Sequence, residues 1–95
     1  MLTIAELPEY IRRAEKLLSH AERADVVSYL AAHPKSGDLM EGTGGVRVIY
    51  YVHSDAMPLY LLTLFAKNER ANLSKAERNE LRELVDLLVD YWIER

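Results

Sequence analysis

Cysteine is absent from the 95-residue chain. That excludes disulfides and thiolate metal sites, and it suits a reducing, cytoplasmic location. No apolar run approaches the roughly 20 residues of a membrane-spanning helix, so no membrane association is expected. The leading MLTIAELPEY has no basic segment and carries acids early, so it does not read as a secretory signal. Internal repeats and low-complexity segments are missing. His20, His33 and His53 do not form HxxxH or any other ligand spacing, which argues against a metal site. No serine stands in a nucleophile-elbow context. The acids fall mostly on helical segments as solvated faces, and their spacing carries no two-carboxylate hydrolase. No cofactor is expected. Any chemistry must rest on Lys, Arg, Asn and Tyr.

What is present describes one modest domain spanning residues 1–95. The hydrophobic fraction is 49% and the charged fraction 28%, which argues against disorder. The length allows a single core. Net charge is −3. Taken alone, that counts against a nucleic-acid binder, which usually carries a basic face.

The stretch 44–70 organises the chain. Residues 46–53 are rich in Val, Ile and Tyr, which fit a pleated surface, and 59–65 form a second such run. Ser54-Asp55-Ala56-Met57-Pro58 between them is turn-forming. So short a link favours an antiparallel hairpin. Both runs are apolar at nearly every position, which predicts interior strands covered by helices. Period-two geometry puts Arg47, Ile49 and Tyr51 on one face. It groups Leu59, Leu61, Thr63, Phe65 and Lys67 on one face of the second strand. Arg47 and Lys67 on the same side would place two positive charges at the sheet rim. The plainer alternative is an ion-paired Arg47 and a solvated turn over Lys67, Asn68, Glu69 and Arg70.

The remaining elements frame this hairpin. Leu2-Thr3-Ile4 is a short β-like run that suits the hairpin's edge. Pro8 suits the first turn of a helix. Ile11, Ala14, Leu17 and Leu18 form its apolar face, with Arg12, Arg13, Glu15 and Lys16 opposite. Ser19 and Glu22 make a capping box, so a second helix starts at once and the two form a helical hairpin. Val26, Val27, Leu30 and Ala31 supply its buried stripe, and Pro34 ends it. Residues 34–45, PKSGDLMEGTGG, form a glycine-rich loop, with Leu39 and Met40 expected to pin it to the core. Its GTGG precedes a strand and lacks the lysine of a nucleotide loop. A second capping box, Ser74 with Glu77, opens a last helix. Leu81, Leu84, Val85, Leu88 and Trp92 share one face of that helix. Leu87, Val89 and Ile93 widen the stripe, and Tyr91-Trp92-Ile93 is a candidate contact patch, with core packing as the other use. The expected class is α+β: a small, mainly antiparallel sheet packed with an N-terminal helical hairpin and a C-terminal helix.

Three segments resemble the RelE/HigB-like toxins of bacterial type II toxin–antitoxin systems. Leu30-Ala31-Ala32-His33-Pro34-Lys35-Ser36-Gly37-Asp38 is similar to that family's helix end followed by an N/H-P-x-x-G-D loop. Glu41-Gly42-Thr43-Gly44-Gly45 is similar to its GTGG motif. Arg47-Val48-Ile49-Tyr50-Tyr51, Leu59-Tyr60-Leu61-Leu62 and Ala66-Lys67-Asn68-Glu69 are similar to its R-V/I-I-Y-Y, Y-L-L and Y/G-K-N-E blocks. The resemblance implies a RelE-like fold and ribosome-dependent mRNA cleavage without metal. In that chemistry the ribose 2′-OH attacks the adjacent phosphate and leaves a cyclic phosphate. Basic residues stabilise the charged transition state, and one moves a proton. It also implies catalytic roles for Arg47, Lys67 and Asn68, RNA binding by Arg70, and a cognate antitoxin with a helix-turn-helix DNA-binding domain.

The chain departs from the family pattern at one place. Relatives carry a further strand, roughly R-K-x-R-x-A, and a basic loop between GTGG and R-V-I-Y-Y. Here Gly44-Gly45-Val46-Arg47 runs straight on. Either that segment is deleted or it lies outside these 95 residues. Its lack fits the acidic balance. Some relatives also carry an arginine where Asn68 stands, and a tyrosine near the position of Ser74. Two readings stand beside each other: an mRNA-cleaving toxin, or a toxin-fold protein that binds an antitoxin without cutting RNA. A gyrase-poisoning relative of the same fold is a weaker third, because fold alone does not set activity.

Overall fold

A computed structural model describes residues 3–33 and 45–93. In chain order these form β1 (Ile4–Glu6), α1 (Pro8–Leu17), α2 (His20–Ala32), β2 (Val46–Tyr51), β3 (Leu59–Ala66) and α3 (Lys75–Ile93). The class is α+β, with a helical hairpin before the sheet's main strands and a helix after them. The predicted anchoring of the loop by Leu39 and Met40 lies outside the described residues, as does GTGG apart from its last glycine.

Local chemistry explains the helix boundaries. Pro8 occupies the first turn of α1, where its missing N–H costs nothing. Leu18 leaves the helix in an extended conformation while its N–H still donates to the Ala14 carbonyl. Ser19 then caps α2 with a complete capping box. Its Oγ accepts from the Glu22 N–H at 3.1 Å, and its own N–H donates to Glu22 Oε1 at 2.8 Å. The two helices therefore meet without a linker. At the far end of α2, His33 breaks from helical geometry just before Pro34 and stacks on Tyr29 with ring centroids 4.7 Å apart.

The sheet has the order β1-β3-β2. β1 runs parallel to β3, from Ile4 opposite Leu59 to Glu6 opposite Leu61. β2 runs antiparallel to β3, from Val46 opposite Ala66 to Tyr51 opposite Tyr60. The hairpin turn is closed by the Met57 N–H on the Ser54 carbonyl and the Ala56 N–H on Ser54 Oγ. Of the two strands expected inside, β3 is central and β2 is an edge among the described residues. Burial follows position. Residues Leu59, Leu61, Leu62, Thr63, Leu64 and Phe65 of β3 are all buried, whereas β2 fully buries only Val46 and Val48.

A β-bulge corrects the expected face assignment. The register shifts between Ile49 and Tyr50, which pair with Thr63 and Leu61 and leave Leu62 extra. An inserted residue reverses the alternation beyond it. Leu59, Leu61 and Leu64 therefore share one face with Val46 and Val48, and they join Tyr10, Ala14, Leu18, Val26 and Leu30 in the main core. Thr63 and Phe65 fall on the other face, opposite Ile49 and Arg47. A strict period of two had put them with Leu59 and Leu61. On α1 the buried positions are Tyr10 and Ala14, followed by Leu18 just past its end, with Ile11 only half-buried. The apolar stripe is thus turned toward Tyr10 relative to the aliphatic pattern.

α3 serves the second face. Leu81, Leu84, Val85 and Leu88 of the expected stripe are half-buried, as are Val89 and Glu77, but no residue of α3 is fully buried and Trp92 of that stripe is exposed. Trp92 is 42% exposed, and its Nε1–H donates to the Tyr60 hydroxyl at 2.8 Å. Leu87, Tyr91 and Ile93 are exposed. Trp92 at one end of α3 and Glu77 at the other tie the helix to the sheet end that starts β3 and to the segment that follows it.

Candidate functional site

The site builds up where β3 ends. The ladder runs one residue past the strand, with the Lys67 N–H donating to the Gly45 carbonyl at 2.6 Å. Gly45 takes φ +30°, a value that L side chains rarely adopt, so glycine suits the approach to β2. Lys67, Asn68 and Glu69 then form a tight turn, closed by the Glu69 and Arg70 N–H groups on the Ala66 carbonyl. The turn reverses the chain and carries Arg70 back over the second face of the sheet.

One guanidinium packs on Phe65 there, and a second arginine shares its face of the sheet. Arg47 lies directly opposite Phe65 in the β2–β3 register. Arg70 places its guanidinium carbon 4.8 Å from the centroid of the same ring. That is within cation–π range. Phe65 is 1% exposed, so the ring is a fixed platform. Arg47 Nη1 also donates to the Ala71 carbonyl at 3.3 Å, which ties β2 to the segment following the turn. Lys67 stands two residues beyond Phe65, which period-two geometry assigns to the side of Arg47. Lys67 and Asn68 are exposed at the lip.

Glu77 sets the local electrostatics. Its Oε1 accepts from Arg70 Nη1 at 2.5 Å and from the Ser74 N–H at 2.9 Å. The Ser74 Oγ accepts in turn from the Glu77 N–H, which completes the second capping box. The backbone N–H of Ser74, followed by Arg70, pulls the Glu77 carboxyl down to about 2. It therefore stays ionised through the neutral range. One carboxylate both starts α3 and orients Arg70. A guanidinium has five N–H donors, so orientation by Glu77 leaves Arg70 further donors in a planar fork suited to a phosphate.

The structure brings Arg47 and Arg70 to the same end of the sheet, Arg47 in register with Phe65 and Arg70 over its ring, with Lys67 and Asn68 on the adjoining turn. The motif residues before Gly45 lie outside the described residues. Sequence reasoning missed two members, the Phe65 platform and the Glu77 brace. The Ser74-x-x-Glu77 spacing announced a helix cap. It held no sign that the same oxygen would also receive Arg70, because that interaction depends on the turn. Among the described residues, no three His, Asp or Glu side chains gather as metal ligands, and no helix is long and apolar enough to cross a membrane. A scan against known protein-family models found no match for the chain.

Proposed function

We propose that the protein is the toxin of a type II toxin–antitoxin pair, a ribosome-dependent mRNA endonuclease that acts in the cytoplasm and is held in check by its antitoxin. The observation that carries the reading is the rim itself: Arg70 over the buried Phe65 ring and Arg47 in register with that residue, beside Lys67 and Asn68, in a chain whose strand motifs resemble that family. In this reading, Arg47 and Lys67 neutralise the non-bridging oxygens as the 2′-OH loses its proton and attacks the adjacent phosphate; the P–O5′ bond breaks, and the departing 5′-oxygen takes up a proton. Asn68 orients the ribose–phosphate by hydrogen bonding, and Arg70 holds a neighbouring phosphate. RNA binding and cleavage then need no resident metal. The partner is an antitoxin that covers this rim and carries a helix-turn-helix DNA-binding domain.

A second reading has its own support. Arg70 is already engaged by Glu77, Arg47 by the Ala71 carbonyl, and the net charge is −3. An attenuated toxin fold that binds antitoxin without cutting RNA fits those features. Induction of the chain without antitoxin separates the two. The first reading expects growth arrest with codon-linked mRNA cuts, relieved by Arg47→Ala or Lys67→Ala in proteins that still fold. Normal growth on induction refutes it and leaves antitoxin binding, read by co-purification, as the test of the second.

A further inference from the structure

A row of cations on α1 faces the turn after β3. Arg12, Arg13, Lys16 and Leu17 line a cleft of about 360 Å³ whose remaining wall is Glu69. Glu69 belongs to the turn that carries Lys67 and Asn68, so the cleft and the rim meet at that turn, the cleft on the α1 face of the sheet and the rim on the other. Arg12 and Lys16 stand one helical turn apart, about 6 Å along the axis. That is comparable to the step between phosphates of an extended single strand.

One donor of the cleft is only loosely paired. Nε of Arg13 is buried and has no hydrogen-bond partner among the described residues. The Arg13 side chain as a whole is 37% exposed, so its other guanidinium donors reach the cleft. The nearby acid, Glu9, is 3.8 Å from Arg13 Nε and 3.9 Å from Arg12 Nη2, beyond hydrogen-bond distance. Glu9 is 49% exposed and Arg12 66% exposed, so solvent screens the pairing and a stronger anion can displace it. Three cations against Glu9 and Glu69 leave the cleft net positive in an acidic protein.

We infer that this cleft binds phosphate groups of a single-stranded nucleic acid and carries the strand from the rim onto α1. The inference rests on the reading of the rim as an RNA-facing edge. Arg13 supplies the guanidinium donors that reach the cleft. Arg12 and Lys16 take successive phosphates along the exposed side. Leu17 forms an apolar wall against which a base or sugar can lie.

The test is fluorescence anisotropy of the full chain with a labelled 12-nucleotide single-stranded RNA, 2′-O-methylated throughout so that it cannot be cut. Titrations run from 50 to 200 mM KCl. Removing one phosphate-binding cation should lower the slope of log K against log salt by about 0.7. Arg12→Gln/Arg13→Gln/Lys16→Gln is therefore expected to lower it by about 2, which shrinks the fall in affinity over that salt range about 16-fold. Arg12→Gln/Lys16→Gln, which leaves the half-buried Arg13 in place, should lower it by about 1.4. Lys75→Gln/Arg78→Gln/Arg82→Gln on α3 removes the same charge and should keep the wild-type slope. The inference is overturned if the two triple variants weaken alike, if the α1 triple variant binds as wild type does, or if the wild type does not bind. Growth arrest on induction reads the rim independently. Arrest without cleft-dependent binding removes the cleft and keeps the toxin, and cleft-dependent binding without arrest does the reverse.

Discussion

Replacing Tyr10 with phenylalanine removes one oxygen from the middle of the main core. Tyr10 is 0% exposed and its hydroxyl has no hydrogen-bond partner among the described residues. A buried hydroxyl without a partner costs about 1–3 kcal/mol in desolvation. Phenylalanine keeps the ring and its packing. Tyr10→Phe is therefore expected to stabilise the fold by about 1 kcal/mol at pH 7, a rise of roughly 4–8 °C in Tm for a domain of this size. Alkaline pH sharpens the test. Burial, followed by the charge of Glu6 and opposed by Arg23, raises the Tyr10 pKa from 10.0 to about 12. Between those values the unfolded chain has lost the phenolic proton while the folded chain keeps it. The stabilisation is complete below the unfolded pKa and is lost as pH climbs toward the folded one. At pH 11 this costs the wild type about 1 kcal/mol that Tyr10→Phe does not lose. The other tyrosines are common to both proteins and cancel. Urea unfolding followed by far-UV circular dichroism at pH 7 and pH 11 measures both differences. A variant less stable than wild type at pH 7, or a gap that does not widen by pH 11, refutes the reasoning.

The caps and the core give three further outcomes. Ser19→Ala breaks the capping box that starts α2 and should lower stability by about 1 kcal/mol in urea titrations. Glu77→Gln should flatten the acid limb of the stability curve. The depressed Glu77 pKa contributes stability above its ordinary value of 4.5 that is lost as pH falls toward about 2, and the amide has no such titration. Acid unfolding of the two proteins in parallel reads this, and identical limbs would remove Glu77 from the account. Leu61→Ala opens a cavity at the fully buried centre of β3 and should cost about 2–5 kcal/mol, read as a fall in Tm.

Much of this protein was legible in its residues. Pro8, the box of Ser19 with Glu22 and the box of Ser74 with Glu77 announced the three helix starts, because capping depends on groups three residues apart. The β-rich runs and the short link between them determined an antiparallel hairpin, since no parallel crossover fits that length. The stripe along α3 was visible in its spacing. All of these are short-range properties of the chain.

The tertiary structure decided what depends on residues far apart. The bulge at Leu62 came from the pairing of β3 with β2, and no property of either run alone places an inserted residue. That single insertion moved Thr63 and Phe65 to the second face and so put Phe65 opposite Arg47. Tyr10 entered the core in place of Ile11 because α1 packs on β3 through its Tyr10, Ala14 and Leu18 side. The edge position of β2, the second use of Glu77 on Arg70, and the meeting of α1 cations with Glu69 follow from the same cause. Local sequence specifies which backbone conformations are cheap, but side chains distant in the chain become neighbours only when sheet register and helix packing are chosen together.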